Sequence, residues 1–136
     1  MEECAVKTIL IVDDEQRFLA VLATELRECS HDFCILTAEN GDKALKILES
    51  AHVDLVLTDL KMPVMDGYEL LRCMNKKYPN IPVIVMSFSL YPEVVTKLRD
   101  LGVSQCIEKP FSISLLKEMI AKRVEEKRGE EPVGLK

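Results

Sequence analysis

Short apolar runs alternate with amphipathic segments five times along the chain. The runs are rich in β-branched residues and are mostly apolar at consecutive positions, which is typical of strands buried on both faces of a parallel sheet. They span residues 9–12, 34–36, 53–57, 83–86 and 103–107.

The amphipathic segments carry apolar residues three and four positions apart, a spacing that predicts helices and assigns these residues to the core. The residues are Phe18, Val21, Leu22, Leu26 and Cys29; Ala44, Leu48 and Ala51; Leu70, Leu71, Met74 and Tyr78; Val94, Val95, Leu98 and Leu101; and Leu116, Met119, Ile120 and Val124. Asn40-Gly41 and Pro79-Asn80 predict turns, and Gly102 predicts a helix C-terminus.

Five βα units predict a doubly wound α/β fold, flavodoxin-like, with a five-stranded parallel sheet and five helices. Strand order 2-1-3-4-5 fits a domain of this size, although periodicity alone does not determine it. We place one domain at residues 1–124 and interpret residues 125–136, which are charged and lose the apolar period, as a C-terminal tail or the start of a linker.

Composition narrows the function classes. The chain has 136 residues and a formal net charge of −5, which argues against direct nucleic-acid binding, since that needs a basic face. No apolar run approaches the roughly 20 residues that span a membrane. The acidic N-terminus does not resemble a signal peptide, so we expect a cytoplasmic protein without a membrane partner.

The cysteines do not form a CxxC pair and are odd in number, so neither a disulfide framework nor a zinc site is indicated. We expect reduced thiols that fill small apolar gaps. These cysteines are Cys4, Cys29, Cys34, Cys73 and Cys106. The two histidines, His31 and His52, are expected at the surface.

Polar side chains close four of the predicted strands. Strand one ends in Asp13-Asp14 and strand three in Asp59, whereas strands four and five end in Ser87 and Lys109. Because an open parallel sheet binds ligands beyond the carboxyl ends of its strands, we expect these groups to converge on one edge.

Three clustered carboxylates repel one another, and at least one pKa should rise unless a cation lies between them. Mg²⁺ fits such a cluster because it takes one or two carboxylates, several waters and phosphate oxygens. An aspartate can accept a phosphoryl group as an acyl phosphate, with a hydroxyl and an ammonium stabilising its charge. Taken alone, Asp13-Asp14-Glu15 is equally typical of a helix N-cap; the combination favours a phosphoryl site.

With these motifs, the sequence resembles the response-regulator receiver domain of two-component signalling over roughly residues 6–124. The matching pieces are Ile9-Leu10-Ile11-Val12-Asp13-Asp14-Glu15, Asp59-Leu60-Lys61-Met62-Pro63-Val64-Met65-Asp66-Gly67, Ser87, and Lys109-Pro110-Phe111. The resemblance implies that Asp59 is the phosphoacceptor and that its donor is a phosphohistidine on a sensor histidine kinase or phosphotransfer protein.

The same resemblance implies a metal site. Asp14, Asp59 and the backbone carbonyl of Lys61 would ligate Mg²⁺ directly, and Asp13 would act through a bound water. Gly67 would permit a tight loop beneath the site.

It also implies a switch. Lys109 and Ser87 would bind the phosphoryl oxygens, and the Lys109-Pro110 peptide bond is cis in many relatives. Phosphorylation would then change the surface formed by the fourth helix, strand five and the fifth helix (91–101, 103–107 and 113–124), to control a downstream protein or a fused output domain. Homodimerisation through the fourth and fifth helices is a further expectation. The chain would be no enzyme beyond its own phosphorylation and dephosphorylation, and it would be either a stand-alone regulator or part of a longer protein.

Two residues depart from the family pattern. Cys106 stands where relatives usually carry Tyr or Phe, and it cannot sweep the volume of a ring. Phe88 stands where a small residue commonly follows the hydroxyl residue. Phe88 would crowd the pocket mouth or take the place of the missing aromatic; the alternative for both residues is neutral drift in packing.

Three other function classes fit the sequence less well. A phosphorylation-independent docking module is favoured by Cys106 and Phe88 but opposed by the acidic pocket and Lys109. An aspartyl-nucleophile phosphohydrolase of the dehalogenase type would place its two acids two positions apart, whereas Asp13 and Asp14 are adjacent. A dinucleotide or flavin carrier is disfavoured because no GxGxxG follows the first strand.

Overall fold

Five strands and five helices alternate in the computed structural model of the protein, which describes residues 6–29, 33–62 and 65–129. The strands are β1 (Lys7–Val12), β2 (Phe33–Ala38), β3 (Leu55–Asp59), β4 (Val83–Ser87) and β5 (Gln105–Glu108). The helices are α1 (Gln16–Cys29), α2 (Gly41–Ser50), α3 (Gly67–Lys77), α4 (Pro92–Asp100) and α5 (Ile113–Gly129). None of the helices among these residues is long and apolar enough to cross a membrane.

The strands form one parallel sheet in the order β2-β1-β3-β4-β5. This confirms the predicted fold and strand order. Alternate residues of β1 supply the two core layers: Ile9 and Ile11 pack in the layer that includes α1 and α5 residues, and Leu10 and Val12 pack in the layer that includes α2 and α3 residues. The consecutive apolar positions of β1 are therefore explained by burial on both faces.

Two strands begin later than predicted. β3 starts at Leu55 and β5 at Gln105, so Val53 and Val103 precede their strands. Ahead of β3, the Asp54 carboxylate accepts a hydrogen bond of 2.8 Å from the Thr8 backbone N–H. This side-chain contact ties Asp54 to the start of β1 outside the regular strand ladder.

Two residues assigned to the core are exposed. Val21 is 60% exposed. The buried stripe of α1 follows Leu19, Leu22, Ala23 and Leu26, and at 3.6 residues per turn Val21 lies on the opposite side of the helix. Ala51 is exposed as well. It lies one residue beyond the last turn of α2 as its C-cap, where its N–H reaches Ile47 O.

Helix α5 continues to Gly129, past the boundary predicted at residue 124. Lys, Arg and Glu, which make up most of residues 125–129, are good helix formers and can extend a helix without an apolar period. Residues 130–136 lie outside the described residues, and the tail or linker there remains a prediction.

Asn40-Gly41, predicted as a turn, forms the start of α2. The Asn40 side chain accepts a hydrogen bond of 2.9 Å from Lys43 N as the N-cap. Pro79-Asn80 is a turn as predicted. Gly102 follows α4 with φ +85°, the left-handed conformation that glycine adopts readily after a helix.

Of the cysteines that the structure describes, Cys34 is exposed and Cys73 and Cys106 are half-buried, all as free thiols. Cys34 therefore fills no gap, because it lies on the edge strand β2. His52 is at the surface as predicted. The predictions for Cys4, the Cys29 side chain and His31 concern positions outside the described parts of the chain.

Candidate functional site

Three aspartates lie together at the carboxyl ends of neighbouring strands. Asp13 and Asp14 follow β1, and Asp59 ends β3. β1 and β3 pair in parallel, with Val12 opposite Thr58, so the residues that follow lie side by side. One carboxylate oxygen from each aspartate lies within 4.8 Å of the other two. The cluster predicted for this edge is present.

Backbone N–H groups anchor two of these carboxylates. Oδ1 of Asp13 accepts from Glu15 N at 2.9 Å, and Oδ1 of Asp59 accepts from Leu60 N at 2.8 Å. Asp13 is fully buried, whereas Asp14 is exposed to solvent. The site is therefore buried and held in place at Asp13, and it is open to solvent at Asp14.

The remaining oxygens of the two anchored carboxylates face Lys109. Its Nζ lies 3.1 Å from Asp13 Oδ2 and 3.4 Å from Asp59 Oδ2, and only 8% of the lysine side chain is exposed. Lys109 follows β5, its N–H donates to Ser87 O at 2.8 Å, and its peptide bond to Pro110 is cis. A buried ammonium thus balances part of the acidic charge.

Burial raises the pKa of Asp13 above its ordinary value of 3.8. The Glu15 N–H and the Lys109 ammonium oppose this rise, and repulsion from Asp59 adds the smallest contribution to it. The raised pKa that we expected therefore occurs, but desolvation outweighs the charge repulsion on which that expectation rested.

Ser87 closes β4 at the same edge of the sheet. It directly follows Met86, the β4 partner of Asp59, and it is buried. The Ser87 hydroxyl oxygen accepts a hydrogen bond of 3.1 Å from Ser89 N. The loop that leads to α4 is therefore tied to this hydroxyl. Lys61, the other predicted site residue, is exposed in the loop after β3.

The start of α3 presses directly against the end of β3. Gly67 N donates to Leu60 O at 2.7 Å, and a Cβ on Gly67 would lie 2.5 Å from the Asp59 carbonyl oxygen. Only glycine allows this approach. The Thr58 hydroxyl donates to the same Asp59 carbonyl oxygen at 2.8 Å. We did not predict this contact, because Thr58 directly follows an apolar run and matches no motif.

Two aromatic rings flank the Lys109 ammonium. Its Nζ lies 4.7 Å from the Phe18 ring centroid and 5.4 Å from that of Phe88. Phe18 also packs edge-on against Phe111, with centroids 6.1 Å apart. We predicted Phe18 only as a core residue. The available signal was its position in the first turn of α1, which begins two residues after Asp14.

The donor set fits a magnesium ion. Mg²⁺ prefers oxygen ligands and keeps several waters, and the three carboxylates supply oxygens close together with Asp14 open to solvent. A closed cage of soft ligands, which would select other metals, is not what these side chains form.

Cys106 lies on β5 and is half-buried against the core layer that includes α3 and α4 residues. Burial raises the pKa of its thiol above the ordinary value of 9.0, and Arg99 opposes the rise. Near neutral pH the thiol therefore stays protonated, and the side chain serves mainly to pack against this layer.

The model of the response regulator receiver domain matches residues 9–121, and the chain belongs to this family. Receiver domains are signalling switches of two-component systems that relay signals from histidine kinases and are often linked to output domains.

Individual relatives agree with this assignment. The chain is 35% identical over 133 residues to a probable cyclic di-GMP phosphodiesterase of Vibrio cholerae, covering 96% of this chain and 30% of that protein. Among solved structures, it resembles a CheY-like receiver domain protein of Methanospirillum hungatei, with a TM-score of 0.86 and 28% identity over 93% of this chain and 99% of the other. It also resembles the response regulator TrrA of Thermotoga maritima, solved with Mg²⁺-BeF, with a TM-score of 0.75 and 34% identity over 86% and 98% of the two chains. The chain spans only 13% to 30% of the length of the first curated relatives that it matches.

Proposed function

We propose that Asp59 accepts a phosphoryl group from a phosphohistidine of a sensor histidine kinase or a phosphotransfer protein. The observation that carries this proposal is the setting of the Asp59 carboxylate, which is anchored at Oδ1 by Leu60 N and faces the Lys109 ammonium at 3.4 Å through Oδ2. A carboxylate oxygen attacks phosphorus, the P–N bond breaks, and its electron pair stays on the imidazole. The product is an acyl phosphate on Asp59.

We propose that Asp14, Asp59 and the Lys61 backbone carbonyl hold Mg²⁺ and that Asp13 contacts it through a water. The clustered carboxylate oxygens support this, and so does the Mg²⁺-BeF complex of TrrA, a relative at 34% identity. When bound, Mg²⁺ neutralises carboxylate and phosphoryl charge. Asp13 and Asp59 are already held in place by backbone N–H groups, so the protein supplies orientation in advance.

Lys109 and Ser87 are the proposed phosphoryl ligands. A phosphoryl group adds about −1.5 to −2 charges and three acceptor oxygens, which attract the ammonium and the hydroxyl. Ser87 then exchanges its contact with Ser89 N for one with the phosphoryl group, and this moves the loop before α4. Moving a two-state equilibrium from mostly inactive to mostly active takes a few kcal/mol, which charge-assisted hydrogen bonds can supply.

The output of this switch is proposed to be the surface of α4, β5 and α5, which the moving loop adjoins. This surface would bind a downstream protein, a fused output domain or a second copy of the chain. The chain would act in the cytoplasm, without direct contact to nucleic acid, and its only chemistry would be its own phosphorylation and dephosphorylation.

A second candidate function is phosphorylation-independent docking. Cys106 favours it, because a half-buried thiol on β5 cannot report phosphorylation through the movement of a ring. Binding of a partner with equal affinity to wild type and Asp59→Asn would support docking over switching.

Transfer from a phosphohistidine donor tests the proposal. Incubation of the chain with Mg²⁺ and a ³²P-labelled phosphotransfer protein should label wild type but not Asp59→Asn. Asp42→Asn is a matched control, because Asp42 is an exposed acid paired with Lys46 and should be labelled like wild type. Equal labelling of Asp59→Asn would show that another residue is the acceptor.

A further inference from the structure

The Phe88 ring lies beside the Lys109 ammonium although most of the ring is exposed to solvent. Its side chain is 70% exposed, yet its ring centroid is 5.4 Å from Lys109 Nζ. A ring within about 6 Å of a cation attracts it through its quadrupole. The neighbouring exposed aromatic, Tyr91, is 64% exposed and makes no such contact with Lys109 among the described residues.

The Lys109 ammonium is thus held on several sides. The two carboxylates, Asp13 and Asp59, take up its charge, and Phe18 covers it at 4.7 Å with a ring that Phe111 fixes in place. Phe88 supplies the second ring from the loop before α4, outside any helix or strand.

Phe88 is also coupled to Ser87 through the backbone. The Ser87 hydroxyl accepts from Ser89 N, so the chain turns tightly with Phe88 at its centre. If Ser87 gives up this contact, the turn that places the Phe88 ring beside Lys109 loses its hydrogen bond. A change at the Ser87 hydroxyl can therefore reposition the ring of the residue that follows it.

We infer that Phe88 is a positioning residue for Lys109: its ring holds the ammonium against Asp13 and Asp59 while the acceptor is free, and it leaves Lys109 when the acceptor is phosphorylated. The first half, the positioning of Lys109, rests on the contacts above. The second half, the release of the ring, rests on the proposed function, because the ring leaves Lys109 only if Lys109 and Ser87 bind a phosphoryl group. In this chain, Phe88 then couples the acceptor to the loop before α4, a role that Cys106 cannot fill.

The first half is tested without phosphorylation. Protons of the Lys109 ε-methylene near the face of a ring resonate upfield in ¹H NMR. Phe88→Leu, which keeps apolar bulk but removes the ring, should shift them downfield, whereas Tyr91→Leu should leave them in place. Unchanged Lys109 resonances in Phe88→Leu would overturn the inference.

The second half uses the absence of tryptophan from the sequence. Phe88→Trp introduces a single tryptophan beside Lys109, and its emission should change when a small acyl phosphate and Mg²⁺ phosphorylate the protein. The emission of Tyr91→Trp should change less.

Intact mass of the same samples separates the two claims. Phosphorylated Phe88→Trp with unchanged emission would overturn the release of the ring and leave the proposed function standing. Failure of wild type to gain a phosphoryl group would instead overturn the proposed function, and ring release with it, while the NMR shifts would still decide the positioning role.

Discussion

The Lys109 ammonium lies 3.1 Å from the buried carboxylate of Asp13, although the two residues are 96 positions apart in the sequence. The contact joins the end of β5 to the end of β1, two strands that are not neighbours in the sheet. Asp59, at the end of β3, one of the two strands between them, shares the same ammonium at 3.4 Å. Lys109 thus supplies positive charge to a cluster that would otherwise be strongly acidic.

Replacing Lys109 should therefore affect metal binding and transfer in opposite directions. Lys109→Met removes a cation that competes with Mg²⁺ for the same oxygens, so Mg²⁺ should bind more tightly, while phosphoryl transfer should slow by about 10²-fold, the scale of losing one electrostatic stabiliser. Calorimetric titration and the rate of labelling measure the two effects.

Lys46→Met is the control for this substitution, since Lys46 is an exposed lysine that pairs with Asp42. It should match wild type in both measurements. Weaker Mg²⁺ binding in Lys109→Met would contradict the competition between the two cations.

Gly67→Ala should damage both stability and function. The added methyl group would meet two backbone positions, the Asp59 carbonyl oxygen at 2.5 Å and Leu60 Cα at 2.7 Å, and neither can rotate away. Overpacking of this kind costs about 1–3 kcal/mol, which urea unfolding would measure. Displacement of Asp59 should also slow its phosphorylation.

Gly41→Ala is a matched comparison, because Gly41 also begins a helix but its added methyl group would meet Met65. It should lose stability without a comparable loss in the rate of phosphorylation. If Gly67→Ala is as stable as wild type, the close approach of α3 to Asp59 is not as described.

The Cys106 thiol should react slowly. Burial raises its pKa, so less thiolate is present near pH 8 and alkylation should be several-fold slower than at exposed Cys34. The folded state keeps the Cys106 proton to higher pH than the unfolded state, whose pKa is about 9.0. The contribution of Cys106 to stability therefore falls as pH rises above that value.

Peptide mass spectrometry after brief treatment with iodoacetamide measures both sites in one sample. The exposed Cys34 serves as the internal standard. Alkylation of Cys106 at the same rate as Cys34 would show that its thiol is not shielded.

The architecture could be predicted because each βα unit has a recognisable hydrophobic pattern within its own stretch of sequence. Runs such as that around Ile9 carry the burial of both sheet faces, and the family motifs mark the strand ends that the sheet brings together. The predictions were wrong where they rested only on whether a residue is apolar or charged. Val21 matches a helical spacing but falls off the buried stripe, and α5 extends to Gly129 through charged residues that also suit a tail.

The details of the site depended on distances that no local pattern encodes. The contact of Phe88 with Lys109 joins the residues that follow β4 and β5 and requires the assembled sheet. The desolvation that raises the pKa of Asp13 likewise comes from the packing around it. The carboxylates, the hydroxyl and the ammonium at the strand ends could be predicted from the sequence. Their burial and the two rings around Lys109 could not.

Direct location of the modified residue tests the central claim. Wild-type protein would be treated with a phosphodonor and Mg²⁺ and then reduced with borohydride, which converts an aspartyl phosphate to homoserine, before peptide sequencing by mass spectrometry. The account predicts homoserine at position 59 and intact aspartate at Asp13 and Asp14. Homoserine at either of those positions, or a phosphoryl group on a side chain other than Asp59, would contradict it.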